Sequence, residues 1–291
     1  MQYDMFGKQR YKVNLHMHTA DSDGCIPHEA AIARYRDAGY DAVAVTEHWF
    51  AKRNCENDGG LLRIAGCEYN IGGNNAADGV YHILGLGYDE PPTNIRKTDG
   101  AQVIIDKLHR AGATVILAHP AWSLNTPEQI MALEGIDATE IYNSVSNAHN
   151  SRRPDSSLIV DMLATRGRFY PLIADDDAHF YDGSDDCISW IMAEAESCTK
   201  EDILKAVREG RFYATQGPEI HLHREGDEFV VKCSPCKEIR FFSNITICAR
   251  MFAGDGLTEA RYAFLENESY VRAEVVDAEG RSAWSNIIPI E

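Results

Sequence analysis

Short apolar stretches recur along the first two thirds of the chain, and most of them end in polar residues. Each is rich in Val, Ile, Leu or Ala and has the length of a buried strand. The stretches cover residues 11–18, 41–48, 61–68, 80–87, 113–120, 137–143 and 169–179. The pattern therefore predicts seven strands with buried centres and polar ends.

Helical segments lie between most of these strands. Residues 27–39, "PHEAAIARYRDAG", have Pro near the start and Gly at the end, which is the asymmetry of a helix. Residues 99–112 and 156–167 also end in glycine, and a further helix is predicted over 199–210 with Thr199 as its cap. Strand–helix alternation indicates a parallel sheet covered by helices. With this number of repeats, a barrel is favoured over an open sheet.

The pattern changes after residue 215. Residues 219–291 contain short strand-like runs separated by Gly- and Pro-containing turns, and no convincing helix. Residues 229–242, "FVVKCSPCKEIRFF", are interpreted as two strands with a turn between them. The expected organisation is a barrel over 1–215 and a small all-β, sandwich-like domain over 216–291.

Composition narrows the classes of partner. The 291 residues contain 45 Asp and Glu against 28 Lys and Arg, a formal net charge of -17. Such a surface repels phosphate backbones, so neither a long nucleic acid nor an anionic membrane is an expected partner. The N-terminal segment has no signal-like apolar run, and no stretch has the length of a membrane span. A cytoplasmic location is therefore expected, and the oligomeric state is not predicted.

The eight cysteines are scattered and are expected to be reduced thiols. One pair, Cys233 and Cys236, has C-x-x-C spacing. A zinc ribbon needs a second such pair, and a thioredoxin-like motif opens a helix after a strand. Because the sequence offers neither context, the two thiols are interpreted as small apolar side chains.

Histidines and carboxylates are concentrated at the ends of the predicted strands. In a barrel of parallel strands, these ends meet at one rim, where chemistry gathers. The spacing i, i+2 places His16 and His18 on one strand face, and does the same for Asp177 and His179. The candidate ligands are His16, His18, Asp23, His48, Glu68, His82, His119, Asp177 and His179.

A single histidine at a strand end, taken alone, is more often a hydrogen-bonded structural residue than a metal ligand. Together on one rim, the candidate ligands would repel or stay unsatisfied without cations between them. Nitrogen and oxygen ligands without a thiolate suit Zn, Mn or Fe, and the set exceeds the needs of one catalytic zinc. His82 is the weakest member, because it lies near the beginning of its strand. A second H-x-H pair, His221 and His223, is predicted to be the exposed face of a strand in the β-region.

The ordered motifs resemble the PHP domain of polymerase and histidinol phosphatase proteins. They are H-x-H with S-D-G (16–24), T-E-H (46–48), G-C-E (66–68), H-x-L-G-x-G (82–87), A-H-P (118–120) and D-A-H (177–179). The resemblance covers about residues 11–215 and implies a distorted seven-stranded (βα)7 barrel with two or three divalent metals at its rim. The tail is similar to that of stand-alone members described as predicted metal-dependent phosphoesterases.

By position, the resemblance implies three metal sites. His16, His18, Glu68 and Asp177 would hold one metal, Asp23, His48 and His179 a second, and Glu68 would bridge to a third held by His82 and His119. Two positions fit the family pattern less closely and are called the looser positions below. Glu47 stands where many members have Asp, and Asp175 shares the strand face of Asp177 and competes with it as a candidate ligand.

The resemblance implies a metal-dependent hydrolase, first of all a phosphoesterase acting on a small phosphorylated metabolite or nucleotide. Clustered divalent cations would activate water as the nucleophile and offset the charge of a phosphate, so an acidic protein can accept one. Glu68, Asp177 and His179 are the expected catalytic residues. The expected substrate contacts are Lys52, Trp122, His149, Arg152 and Arg153. Either arginine is placed to clamp a second phosphate or a carboxylate, or both are solvated charges before a helix.

Three alternatives stay open at this level. A carbamate, ester or amide hydrolase would use the same metals with a different substrate pocket. An amidohydrolase on a (βα)8 barrel also begins with H-x-H, but it usually places a carboxylated Lys on strand four, where this chain has Tyr81, His82 and Ile83. A PHP module that binds metal without catalysis is disfavoured by the intact ligand set.

Overall fold

The computed structural model describes residues 1–51, 56–148, 151–246 and 250–290. The strands in these ranges are β1 (Gln2–Tyr3), β2 (Gln9–Asn14), β3 (Ala42–Val45), β4 (Glu56–Asp58), β5 (Leu61–Ile71), β6 (Tyr81–Leu86), β7 (Thr114–Leu117), β8 (Ala138–Asn143), β9 (Leu172–Asp175), β10 (Trp190–Ala193), β11 (Phe212–Thr215), β12 (Ile220–Glu225), β13 (Glu228–Phe242), β14 (Met251–Ala263), β15 (Tyr270–Val276), β16 (Ser282–Trp284) and β17 (Ile288–Pro289). The α-helices are α1 (His28–Asp37), α2 (Ala101–Arg110), α3 (Pro127–Met131), α4 (Ser157–Ala164) and α5 (Lys200–Arg208). The fold is therefore mixed α/β, with a large sheet and few helices.

The strands of the first two thirds form one run of neighbours. β2, β3 and β5 pair in parallel, and so do β7, β8 and β9. β6 lies between the two groups and is antiparallel to β5 and β7. The two ends of the run meet where Met17 forms a parallel bridge with Ala178 and the Asp177 amide donates to the His16 carbonyl at 2.8 Å. β10 pairs with the other edge of β2.

The prediction of an all-parallel sheet is wrong at β6. Residues 72–80 join β5 to β6 and contain only a one-turn 3-10 helix, Ala76–Asp78. A parallel crossover needs about a dozen residues or more, so this link returns the chain beside β5 in the opposite direction. β10 and β11 are also strands that the apolar pattern did not predict.

The predicted helices are confirmed to within a few residues at each end. α2 buries Ile104, Ile105 and Leu108 against the sheet. In α5 the Thr199 hydroxyl caps the first turn by accepting from the Asp202 amide at 3.3 Å. None of the described helices is long and apolar enough to cross a membrane. The helices thus cover an apolar sheet and leave the strand ends open.

The C-terminal third, over its described residues 219–246 and 250–290, contains strands and no helix. β13 pairs with β12, β14 and β15, and β16 joins this group to β11 of the first region. The sheet is therefore continuous between the two regions. A separate apolar core, with Phe229, Val231 and Val275 buried in it, supports the C-terminal strands.

The interpretation of residues 229–242 as two strands is wrong, because β13 is one continuous strand. The expected turn is a shift of register between Lys232 and Glu238, where Pro235 is tolerated because the ladder is interrupted. Cys233 and Cys236 lie on either side of Pro235 in the sequence. Both are buried, and their sulfurs are 3.6 Å apart. Their surroundings agree with the interpretation of small apolar side chains.

Candidate metal centre

The predicted ligands come together at one rim of the strand run. They form three overlapping groups, and within each group one ligand atom per residue lies within 4.8 Å of the others. The groups are His16, His18, Glu68 and Asp177; His18, Asp23, His48 and His179; and Glu68, His82 and His119. The three sets implied by the motif resemblance are thus reproduced as spatial groups, with His18 reaching two of them.

The first group is the most enclosed, and all four of its side chains are buried. His16 Nε2 lies 3.3 Å from Glu68 Oε2 and 3.1 Å from Asp177 Oδ1. His18 Nε2 lies 3.0 Å and 3.1 Å from the same two oxygens. The two imidazole Nε2 atoms are themselves 3.2 Å apart. Four potential ligand atoms from buried side chains therefore face one point.

Two atoms of the centre show that the residues fit a cation. Asp177 Oδ1 and His48 Nδ1 are buried, and among the described residues neither makes a hydrogen bond of good geometry, although Asp177 Oδ1 has two imidazole nitrogens at 3.1 Å and His48 Nδ1 has Glu68 Oε2 at 3.3 Å. Buried polar atoms are normally paired, because an unpaired one costs about 1–3 kcal/mol. A divalent ion bound between the carboxylates and imidazoles would satisfy both atoms.

Outer polar contacts orient three of the imidazoles. His16 Nδ1 donates to Glu140 Oε1 at 2.7 Å, and His179 Nδ1 donates to the Asp177 carbonyl at 2.6 Å. His119 Nδ1 lies 3.2 Å from Ser123 Oγ. In the neutral form, His16 and His179 therefore carry the lone pair on Nε2, which faces the centre, as in metal-binding histidines.

Glu68 is common to the whole arrangement. Its carboxylate lies within 3.5 Å of nitrogens of five histidines, namely His16, His18, His48, His82 and His119. Asp23 stands at the outer side, 3.5 Å from His48 Nε2 and 3.6 Å from His179 Nε2, with about half of its side chain exposed. The centre therefore runs from a buried floor to an open edge.

His82 reaches the centre because β6 is antiparallel. In the register of β5 and β6, His82 pairs with Asn70 and Leu84 pairs with Glu68. The beginning of β6 thus lies at the same rim as the ends of its neighbours, and His82 Nδ1 is 2.6 Å from Glu68 Oε1. The geometric objection to His82 came from the wrong strand direction.

The backbone is strained where it turns into the centre. His119 and Asp177 have φ of 26° and 52°, values that non-glycine residues rarely adopt. Gly24 of the S-D-G motif lies against the backbone of His18, and a Cβ there would stand 2.7 Å from the His18 carbonyl carbon. These positions are held by close packing around the ligands.

The charges of the metal-free centre depend on protons. Burial lowers the pKa of His18, but hydrogen bonds and ion pairs with Asp177 and Glu68 raise it to about 9. Burial raises the pKa of Asp23, but His179 and other histidines lower it to about 2. Imidazolium protons thus balance the carboxylates, and a cation that binds here must displace them.

Glu140 was not predicted from the sequence and is tied to three members of the centre. It is fully buried on β8 and accepts from His16 Nδ1 at 2.7 Å and from the His119 amide at 2.9 Å. It also accepts from Asn143 Nδ2 at 2.7 Å, and the same nitrogen lies 3.2 Å from Asp177 Oδ2. The available signal was a lone carboxylate inside the apolar run "DATEIYN".

The two looser positions lie outside the groups of candidate ligands just described. Asp175 accepts from the Leu15 amide at 2.7 Å and does not belong to any of these groups. Glu47 accepts from the Thr19 and Ser22 hydroxyls, both at 2.5 Å. Both side chains therefore hold the strand ends rather than face the centre.

The predicted substrate contacts are distributed unevenly. Trp122 is 38% exposed and lines a cavity of about 350 Å³ above the ligands, with its ring 5.3 Å from that of His82. Arg153 lines an adjoining cleft. Arg152 donates to the Asn147 carbonyl at 3.1 Å and lines neither space. Lys52 and His149 lie outside the described residues.

The prediction of an exposed face is wrong for His221 of the second H-x-H pair. Its side chain is 12% exposed, packs against Phe6 and Tyr213, and meets Glu219 Oε1 at 2.7 Å. Asp4 completes a further carboxylate–histidine group there, but its carboxylate already accepts from Arg10 at 2.9 Å. The arginine supplies the positive charge that a cation would bring.

No protein-family profile matches the chain. No curated protein matches its sequence. Among solved structures, a two-domain protein containing a predicted PHP-like metal-dependent phosphoesterase from Bacteroides vulgatus is 16% identical and superposes with a TM-score of 0.56. That match covers 100% of this chain and 97% of the other.

Two further solved structures superpose less closely. A putative metal-dependent phosphoesterase from Bifidobacterium adolescentis is 15% identical, with a TM-score of 0.44 over 68% of this chain and 96% of the other. A lesion-specific endonuclease from Pyrococcus furiosus is 14% identical, with a TM-score of 0.45 over 69% and 56%. The Bacteroides match carries the comparison, and it confirms the PHP resemblance as a likeness of fold.

Proposed function

Since the chain has the fold of a PHP-like protein, we propose that it is a metal-dependent phosphoesterase acting on a small phosphorylated metabolite or nucleotide. The observation that carries the proposal is the convergence of nine nitrogen- and oxygen-bearing side chains beneath an open cavity of about 350 Å³. A cavity of this size suits a small molecule. The net charge of -17 argues against a long nucleic acid as substrate.

We assign the metal ligands by their spatial groups, with two or three Mn, Zn or Fe ions as occupants. His16, His18, Glu68 and Asp177 would hold the first ion, Asp23, His48 and His179 the second, and Glu68, His82 and His119 the third. Bound divalent cations supply hydroxide from water near neutral pH and offset the charge of a phosphate. Glu68, Asp177 and His179 line the cavity and are assigned to catalysis, because they fix positive charge against the substrate.

Other residues of the chain would orient and enclose the substrate. Trp122, Val145 and Phe180 give the cavity an apolar wall, which excludes water from part of it. We retain Trp122 and Arg153 as substrate contacts. Arg152 is left out, because its guanidinium is bound to the backbone.

The same proposal includes the organisation of the chain. We propose a distorted (βα)7 barrel over 1–215, supported by the closing contact between Met17 and Ala178. A sandwich-like β-domain over 216–291 is supported by a second apolar core beneath its strands, to which Met192 and Tyr213 of the first region also contribute. A cytoplasmic location, in which the cysteines would stay reduced, is part of the same proposal.

The test is phosphate release from a panel of small phosphomonoesters by manganese-reconstituted protein. Metal content is measured on the same samples, and the His16→Ala variant is compared with His223→Ala, which changes the other H-x-H pair. The proposal expects release by the wild type and by His223→Ala, and loss of both metal and release in His16→Ala. Metal-loaded protein that releases no phosphate from the panel would redirect the proposal to carbamate, ester or amide hydrolysis.

A further inference from the structure

A second cleft continues from the metal cavity. Its volume is about 530 Å³, and it lies between the end of the β5–β6 hairpin, residues 70–80, and the loop 122–124. Three residues, His82, Trp122 and Ser151, line both spaces. A molecule bound at the metal centre can therefore extend past Trp122 into this cleft without crossing protein.

The cleft is unusual in its charge. Acidic residues outnumber basic ones by 45 to 28 in the whole chain, yet the cleft is lined by Arg153 and by no Asp or Glu among the described residues. A groove elsewhere on the surface shows the more common composition, with Glu194, Glu196 and Asp202 beside its lysines and arginine. Arg153 is thus the one formally charged side chain among the described residues that line the cleft.

Polar atoms in the cleft lack partners. The Arg153 guanidinium has no hydrogen bond or ion pair with any described residue, although its backbone amide is fixed to the Ser146 carbonyl at 2.8 Å. Ser151 Oγ is buried and has no hydrogen-bond partner in the described part of the chain. The neighbouring Arg152, in contrast, is bound to the Asn147 carbonyl. The exposed Arg153 guanidinium is therefore available to a ligand, whereas the Ser151 hydroxyl is closed off from solvent.

We propose that this cleft binds a second oxyanion of the substrate, a carboxylate or a phosphate, and that Arg153 determines this specificity. The inference rests on the proposed function, since it places the hydrolysed phosphate at the metal centre. A guanidinium pairs with either oxyanion through two parallel N–H bonds. The substrate class is then a small phosphoester with a second anionic group separated from the first by a short linker beside Trp122.

The test is equilibrium binding to manganese-loaded protein, which does not depend on turnover. Calorimetry compares ω-phosphonocarboxylates of increasing chain length with alkylphosphonates of the same length, and a parallel arm uses bisphosphonates. At the best length, the second anion should tighten binding by about tenfold or more. Arg153→Gln should abolish the preference, whereas the matched Arg152→Gln should keep it. Tighter binding of the phosphonocarboxylates identifies the second anion as a carboxylate, and tighter binding of the bisphosphonates identifies it as a phosphate.

Each remaining outcome decides against the inference. An equal affinity for mono- and dianionic probes, a preference that survives in Arg153→Gln, or no binding of any phosphonate by metal-loaded protein overturns it. The proposed function fails separately. A clear Arg153-dependent preference in a protein that hydrolyses no phosphomonoester would leave the cleft assigned and remove the phosphoesterase. Hydrolysis of simple monoesters without a preference for dianionic probes would keep the phosphoesterase and remove the assignment of the cleft.

Discussion

The chain contains two H-x-H pairs with the same spacing and different surroundings. At the rim, His16 and His18 are buried and face Glu68 and Asp177, which come from distant strands. In β12, His221 and His223 each pair with a carboxylate two residues away, Glu219 and Glu225. Spacing places two imidazoles on one strand face, but only convergence from several strands makes a site that needs a cation.

The largest effect is expected when the shared carboxylate of the rim is neutralised. Glu68→Gln keeps the shape of the side chain but removes the charge that five histidines face. We expect loss of bound metal and a fall in activity greater than the about 10- to 100-fold caused by losing an outer partner. Metal content and phosphate release measure it. Glu219→Gln, which changes the carboxylate of the other pair, should leave both near the wild-type values.

A smaller but still large effect is expected at Glu140. Glu140→Gln places an amide where a carboxylate accepts from His16 Nδ1 and the His119 amide, so the orientation of both imidazoles is weakened. Metal affinity should fall by about 10- to 100-fold. Activity should return when metal is raised to saturation, because the ligands themselves are intact. Activity that stays low at saturating metal would assign Glu140 a different role, and Glu225→Gln is the matched control.

The stability of the metal-free protein should depend on pH through His18 at the rim. Burial lowers the pKa of His18, but Asp177 and Glu68 raise it from 6.5 to about 9. A raised histidine pKa contributes stability fully below pH 6.5, and that contribution is lost as the pH rises through about 9. Melting temperatures of chelator-treated protein should therefore fall over this range. The melting temperature of metal-loaded protein, in which a cation replaces the proton, should fall less over the same pH range. Parallel plots of melting temperature against pH for the two forms would contradict the role given to His18.

Local patterns were enough to predict the helices and the side chains that converge at the rim. The histidines and carboxylates at strand ends needed only the positions of apolar runs, and Thr199 and the terminal glycines needed only nearest neighbours. The direction of β6 was not predictable in this way, because it depends on the length of the link over 72–80 rather than on the strand's own residues.

Contacts between distant parts of the chain account for the other differences between the predictions and the structure. Glu140 stands alone in an apolar run, and its partners His16 and His119 are distant in sequence, so no local spacing marks it. Pro235 predicted a turn, but a shift of register in β13 accommodates it within a strand. His221 was expected to be exposed, and the contacts that bury it come from Phe6 and Tyr213.

The smallest effect is expected at His223, which forms the second H-x-H pair with His221. Its imidazole contacts Glu225 on the protein surface, where ion pairs contribute about 0–1 kcal/mol. His223→Ala should therefore change the free energy of unfolding by no more than about 0.5 kcal/mol and leave the metal content unchanged. Denaturant unfolding and metal analysis measure the two quantities. A loss of metal in this variant would mean that β12 contributes to a metal site after all, and the contrast between the two H-x-H pairs would fail.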